Sequence, residues 1–266
     1  MSAIDELFTN LRSEGRKALM PFVTAGDPDL EFTAAVIQEV VARGASMCEV
    51  GIPYSDPIAD GPVIQASYTR ALDQGVKLSA ILDTLQSIAP KVTAPLVTMV
   101  SYAIVYRHGL AQYADELVER GVAGMIVPDL PVEESPQLAE VCRTRDLSLI
   151  QLVTPTTPRE RALKITETSS GFLYYVSVAG ITGERTELPP ELVERVAWLR
   201  EQTPLPVCIG FGISQPEHVR LLAPVADGLI VGSAIVRRVA EASTKGRKET
   251  LKEISEYVAS LVAALA

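Results

Sequence analysis

Short apolar runs alternate along this chain with longer stretches whose apolar residues recur every three to four positions. Ile4, Leu7, Phe8 and Leu11 share one face over Ser2–Ser13, which predicts an opening amphipathic helix. Ala18–Thr24 is apolar almost throughout and reads as a buried strand ending in the turn Ala25–Pro28. Further strands are expected around Glu49 and at Pro95–Val100, Gly124–Val127, Ser148–Val153, Phe172–Ser177, Pro206–Gly210 and Gly228–Val231. The intervening segments predict helices at Leu30–Ala42, Val63–Leu72, Leu78–Ile88, Leu110–Arg120, Glu133–Arg145, Arg159–Thr168, Glu191–Glu201 and Gln215–Leu222. From the last strand to Ala266 the pattern is again helical, with Thr244–Lys248 as a solvated turn.

Eight apolar runs, each followed by helical sequence, match the count of a single (β/α)8 TIM barrel over residues 1–266. The expected additions are an extra N-terminal helix and additional helices after strands 2 and 8. A doubly wound sheet is the alternative. It usually has fewer strands and a glycine-rich turn after the first. Here the first strand runs into Ala25-Gly26-Asp27-Pro28, and Gly210-Phe211-Gly212 has Gln215 where a third dinucleotide glycine would fall.

Composition narrows the function classes. The 266 residues are 47% hydrophobic and 21% charged, with 24 Lys+Arg against 33 Asp+Glu for a net charge of −9. That balance argues against a nucleic-acid surface. The opening residues carry Asp5, Glu6, Arg12 and Glu14, unlike a secretory leader, and no apolar run approaches a membrane span. Cys48, Cys142 and Cys208 are widely spaced and match no metal pattern, so buried reduced thiols in a cytoplasmic protein are expected. His108 and His218 stand alone and read as surface or helix-end residues; Trp198 falls on an apolar helix face and reads as packing.

The candidate chemistry gathers where strands end and loops begin, as the barrel reading requires. Glu49 lies near the end of the second strand, and Asp60 lies in the loop after it, with Asp56 between them. A carboxylate on an apolar strand must be solvated, paired or functional. Phe22, Tyr102, Asp129 and Tyr174 fall at other strand ends and would line the same mouth. Proton-transfer groups around an apolar slot suit a flat aromatic substrate. Structural readings stand beside these: Asp60 and Asp129 as turn or capping residues, Tyr102 and Tyr174 as core or rim aromatics. Three glycine loops follow the last three strands, around Gly180–Gly183, Gly210–Ser214 and Gly232–Ala234. The last opens a helix, and together they predict a phosphate site built mainly from backbone N–H groups, with Arg185 the nearest basic residue.

The run Glu49–Pro62 resembles the signature of the tryptophan synthase alpha chain family. Leu19–Pro28, Val127–Glu134, Tyr174–Gly183, Gly210–Ser214 and Gly232–Val236 extend the resemblance over nearly the whole chain. It implies cleavage of indole-3-glycerol phosphate to indole and glyceraldehyde 3-phosphate, without metal or organic cofactor. It carries over Glu49 and Asp60 as catalytic acid/base residues. Thr182, Gly183, Gly212, Gly232 and Ser233 go to the phosphate, and Phe22 and Tyr174 to the indole pocket, which Tyr102 and Asp129 are expected to join. It implies a partner, the tryptophan synthase beta chain, in an alpha2beta2 heterotetramer. Tyr54 departs from the phenylalanine common at its position, Ile104 from an asparagine near the partner surface, and Glu184 from an alanine before Arg185. A non-catalytic partner module, a stand-alone lyase and another phosphosugar enzyme on a barrel remain as alternatives.

Overall fold

The computed structural model describes residues 1–58, 60–176, 189–210 and 212–265. Eight parallel strands close into a barrel in chain order: β1 (Ala18–Thr24), β2 (Cys48–Gly51), β3 (Leu96–Met99), β4 (Gly124–Ile126), β5 (Ser148–Val153), β6 (Leu173–Val176), β7 (Val207–Gly210) and β8 (Gly228–Val231). A helix, α1 (Ala3–Ser13), precedes them. Then α2 (Leu30–Ala42) follows β1, while α3 (Pro62–Asp73) and α4 (Leu78–Ile88) follow β2. After β3 come α5 (Tyr102–His108) and α6 (Leu110–Glu119), then α7 (Ser135–Arg143), α8 (Arg159–Thr168), α9 (Pro190–Gln202) and α10 (Pro216–Leu222) after the next four strands. The chain ends in α11 (Ser233–Ala240), α12 (Ala242–Lys245) and α13 (Arg247–Ala263).

The continuous apolar strands have their reason in this architecture. Strands of a parallel barrel are covered by helices outside and by one another's side chains inside, so both faces are dry. All seven residues of β1 are buried. An inner cluster holds Met20, Phe22, Val97, Met99, Ile126, Ile150, Phe172, Tyr174 and Ile230. Ile4, Phe8 and Leu11 of α1 join it, and Phe8 lies 5.8 Å from Phe172 between ring centroids, so α1 plugs one end of the barrel. Ser2 caps α1 by accepting from the Asp5 N–H while the Asp5 carboxylate accepts from Ser2 N–H, a capping box written in the sequence.

The pattern of the chain leaves one helix unassigned, and one expectation needed correction. The stretch after β3 forms the helix α5, capped by Ser101 and separated from α6 by Gly109 at φ +96°. Its unbroken apolar run Tyr102–Tyr106 hid the helical period. His218 is buried, 6% exposed, because α10 turns it inward beneath the loop after β7. The C-terminal helical run breaks at Gly246, φ +88°, inside the expected turn. All three cysteines are buried and free.

Candidate active site

Register brings the acid to the aromatic slot. Phe22 on β1 pairs with Glu49 on β2, and Glu49 in turn pairs with Val97 on β3. Glu49 sits within β2 rather than closing it, is fully buried, and neither carboxylate oxygen has a hydrogen-bond partner among the described residues. Burial alone therefore lifts its pKa well above the ordinary carboxylate range, which favours the neutral carboxylic acid. Asp60 is raised to about 6, first by burial and next by the charge of Asp129, while the nearby Tyr54 hydroxyl opposes the shift. The two carboxyl groups thus sit in different electrostatic surroundings, the condition for separate acid and hydrogen-bond-acceptor roles.

A cavity of about 380 Å³ opens beside Phe22 and Asp60, and Glu49 is not among the residues that line it. Phe22, Ile64, Met99, Tyr174 and Ile230 form its apolar part, Asp60 stands on its wall, and Gly212, Ser214, Gly232, Ser233 and Arg237 line its polar part. Close packing explains two glycines here: a side chain at Gly51 would strike the Phe22 ring and the Tyr68 hydroxyl, and one at Gly210 would strike Tyr174. Gly212 adopts φ +79°, which side chains resist. Gly232 precedes α11, and no side chain caps that helix, so its first N–H groups are available to an anion.

Phe22, Asp60, Tyr174, Gly212, Gly232 and Ser233 are brought together as expected, with Glu49 at the level of Phe22. Thr182 and Gly183 lie outside the described residues, as do Glu184 and Arg185. Tyr102 and Asp129 are not in this cavity. Asp129 accepts from the Ser101 hydroxyl and the Tyr102 N–H, both at 2.7 Å, and so secures the start of α5. The Tyr102 ring packs on Tyr106, with centroids 5.9 Å apart. Asp129 lines a second cavity of about 580 Å³ instead, with Tyr54, Asp56, Ile58, Ile104, Arg107 and His108.

Several contributors escaped the sequence reading. Arg237 reaches the polar end of the cavity from one turn along α11, hidden in the sequence as an ordinary surface cation. Tyr68 of α3 is buried, its hydroxyl has no partner among the described residues, and it faces Asp60, Tyr54 and Glu49. The Ser214 backbone is clamped twice: its N–H donates to His218 Nδ1 at 3.3 Å, and its carbonyl accepts from Tyr257 at 3.1 Å. The His218 bond assigns the neutral ring's proton to Nε2. Arg238 stacks on Tyr257 at 3.6 Å and stiffens that prop. No cluster of metal-ligating side chains occurs among the described residues.

A buried acid paired in register with the wall of an apolar slot, and an anion-suited end on the last barrel strands, make this the arrangement of a barrel enzyme suited to acid–base chemistry. The profile of the tryptophan synthase alpha chain family matches residues 8–265. The alpha chain of Rhodopirellula baltica is 62% identical over 250 residues, spanning 93% of this chain and 90% of that one. That of Caldanaerobacter subterraneus is 44% identical and spans 98% of each. Among solved structures, tryptophan synthase subunit alpha from Legionella pneumophila superposes with a TM-score of 0.91 at 34% identity, covering 100% of this chain and 98% of that one. The chain belongs to the tryptophan synthase alpha chain family, the lyases that cleave indole-3-glycerol phosphate in tryptophan biosynthesis.

Proposed function

We propose that Glu49 and Asp60 carry the cleavage of indole-3-glycerol phosphate in this chain, with residues 1–266 working as one barrel unit. The observation that carries the assignment is the fully buried, unpartnered carboxyl of Glu49 at the level of Phe22. The phosphate binds at Gly212, Gly232 and Ser233 beside the N-terminus of α11, and the indole ring lies against Phe22 and Tyr174. An aryl carbanion is a poor leaving group, so the ring must first be protonated. Glu49 donates its proton to C3, giving an electrophilic indoleninium. As a carboxylate it then takes the proton from the neighbouring glycerol hydroxyl. The C–C bond breaks, its electrons restore the ring, and Glu49 is again an acid. Asp60, ionised, accepts from the ring N–H and offsets the positive charge that builds there. Indole and glyceraldehyde 3-phosphate leave, with no net change in protons.

Indole is small and apolar and escapes readily, so delivery to a second enzyme is advantageous. The second cavity, beside the exposed Ile58 and Tyr106, is the surface proposed for a tryptophan synthase beta chain in an alpha2beta2 assembly. Three buried reduced thiols fit a cytoplasmic setting. The test is to mix the purified chain with indole-3-glycerol phosphate and follow indole release. Glu49→Gln keeps the shape but not the transferable proton, and its rate should fall by about 10²–10⁴-fold with substrate still bound. Near-normal turnover in that variant would refute the assignment.

A further inference from the structure

Tyr54 carries a hydroxyl that the fold buries without a bond. The oxygen is enclosed and has no hydrogen-bond partner among the described residues. Its ring packs on Tyr68 with centroids 5.6 Å apart and borders the inner cluster. Tyr54 lines the second cavity, whereas Asp60, further along the same loop, lines the substrate cavity. The phenol therefore stands in the wall between the two. The groups facing Asp60 are Tyr54 from its own loop, Asp129 from the loop after β4, Tyr68 from α3 and Tyr174 from β6; Arg237 of α11 lines the same cavity. Asp129 adds negative charge against Asp60 ionisation, and the Tyr54 hydroxyl is the group that favours it.

A buried donor beside a carboxylate is costly while unpaired, so a small loop movement that pairs them is favoured. The loop is tied at its far end, where Gln65 donates to the carbonyls of Pro57 and Asp60 at 3.2 and 2.8 Å. We propose that Tyr54 is a positioning residue for Asp60: its hydroxyl donates to the Asp60 carboxylate when the loop settles over substrate, holding that group ionised and aimed at the ring nitrogen. The inference rests on the role of Asp60 proposed above.

The experiment is the pH profile of kcat/KM for the parent and Tyr54→Phe, which keeps the ring against Tyr68. Loss of the donor should lower kcat/KM on the order of tenfold at pH 6 and by a smaller factor above pH 8, where Asp60 is ionised in both proteins and only its aim is lost. Carboxyl-13C NMR of labelled aspartate should show Asp60 titrating at higher pH in the variant. An unchanged profile, or an equal loss at every pH, overturns the proposal. If Tyr54→Phe does not fold, 3-fluorotyrosine incorporation strengthens the phenol as a donor and should move the Asp60 titration downward; no movement overturns the proposal as well. Asp60→Asn separates the two readings. Retained lyase activity in it refutes the role of Asp60 itself. Loss of activity there, with the parent's profile in Tyr54→Phe, refutes only the Tyr54 bond.

Discussion

Phe22 and Glu49 stand opposite one another in the β1–β2 ladder, one an aromatic ring on the cavity wall and the other a carboxyl enclosed beside it. The pairing places an acid whose neutral form burial favours at the level of the aromatic wall. Neither residue needs a loop to position it, since both belong to strands whose register is set by ladder hydrogen bonds and by packing on both faces. Asp60, in contrast, hangs from a loop, and its protonation answers to neighbours on other elements.

That contrast gives a pH dependence. In its proposed role Asp60 must be ionised to accept the ring N–H, and burial and Asp129 raise its pKa to about 6. The lyase rate should therefore fall as pH drops through about 6 and level off above it. The stability effect has the opposite sign. The folded-state pKa exceeds the ordinary value, so the folded state binds the proton more tightly, and the destabilisation from burying the charge is present above pH 6 and is relieved as pH falls toward 4. Asp60→Asn should raise the thermal midpoint at pH 7–8 and lose that advantage near pH 4, measured by circular dichroism melts.

The polar end of the cavity is open to a size test. A methyl group at Gly232 would stand 3.7 Å from Phe22, an ordinary contact, so Gly232→Ala should fold normally. The methyl nevertheless occupies the space where a phosphate would approach the first N–H groups of α11. Glycerol phosphate affinity by calorimetry should fall in Gly232→Ala, and separately in Arg237→Gln with a weaker salt dependence. Unchanged affinity in both would move the phosphate elsewhere.

Stability has a specific weak point at Asp27. Its carboxylate is buried after β1 and accepts two bonds from Arg70 of α3, at 2.9 and 2.6 Å. Removing one partner of a wholly buried pair costs about 3–5 kcal/mol. Arg70 is 40% exposed, which admits water and reduces the effect. Arg70→Ala should destabilise by about 2–3 kcal/mol in urea titrations, and Asp27→Asn in that background should recover part of it.

The second cavity makes a prediction about coupling. Asp56 lines it on the same loop that ends in Asp60, so a docked partner acts on Asp60 through that loop. A cognate beta chain should form a complex by gel filtration and raise the lyase rate. Asp56→Ala should reduce that acceleration more than it reduces the isolated rate. Neither complex nor acceleration would favour a stand-alone lyase.

Local patterning alone determined the eight strands, most helix bounds, the Glu49–Pro62 run and two of the three glycine loops at the cavity's edge. Those features repeat at the period of one element or lie within a single loop, so neighbours in the chain suffice to reveal them. Tertiary structure alone decided that Glu49 is enclosed and has no partner among the described residues, that Asp60 faces Asp129 and Tyr54, that Asp129 turns to another cavity and that the Tyr102 ring packs on Tyr106. It also brought Arg237 to the cavity wall and clamped Ser214 between His218 and Tyr257. The reason is physical: desolvation and Coulomb interactions depend on what lies within a few ångströms in space, and in a closed barrel those neighbours come from strands far apart in the chain.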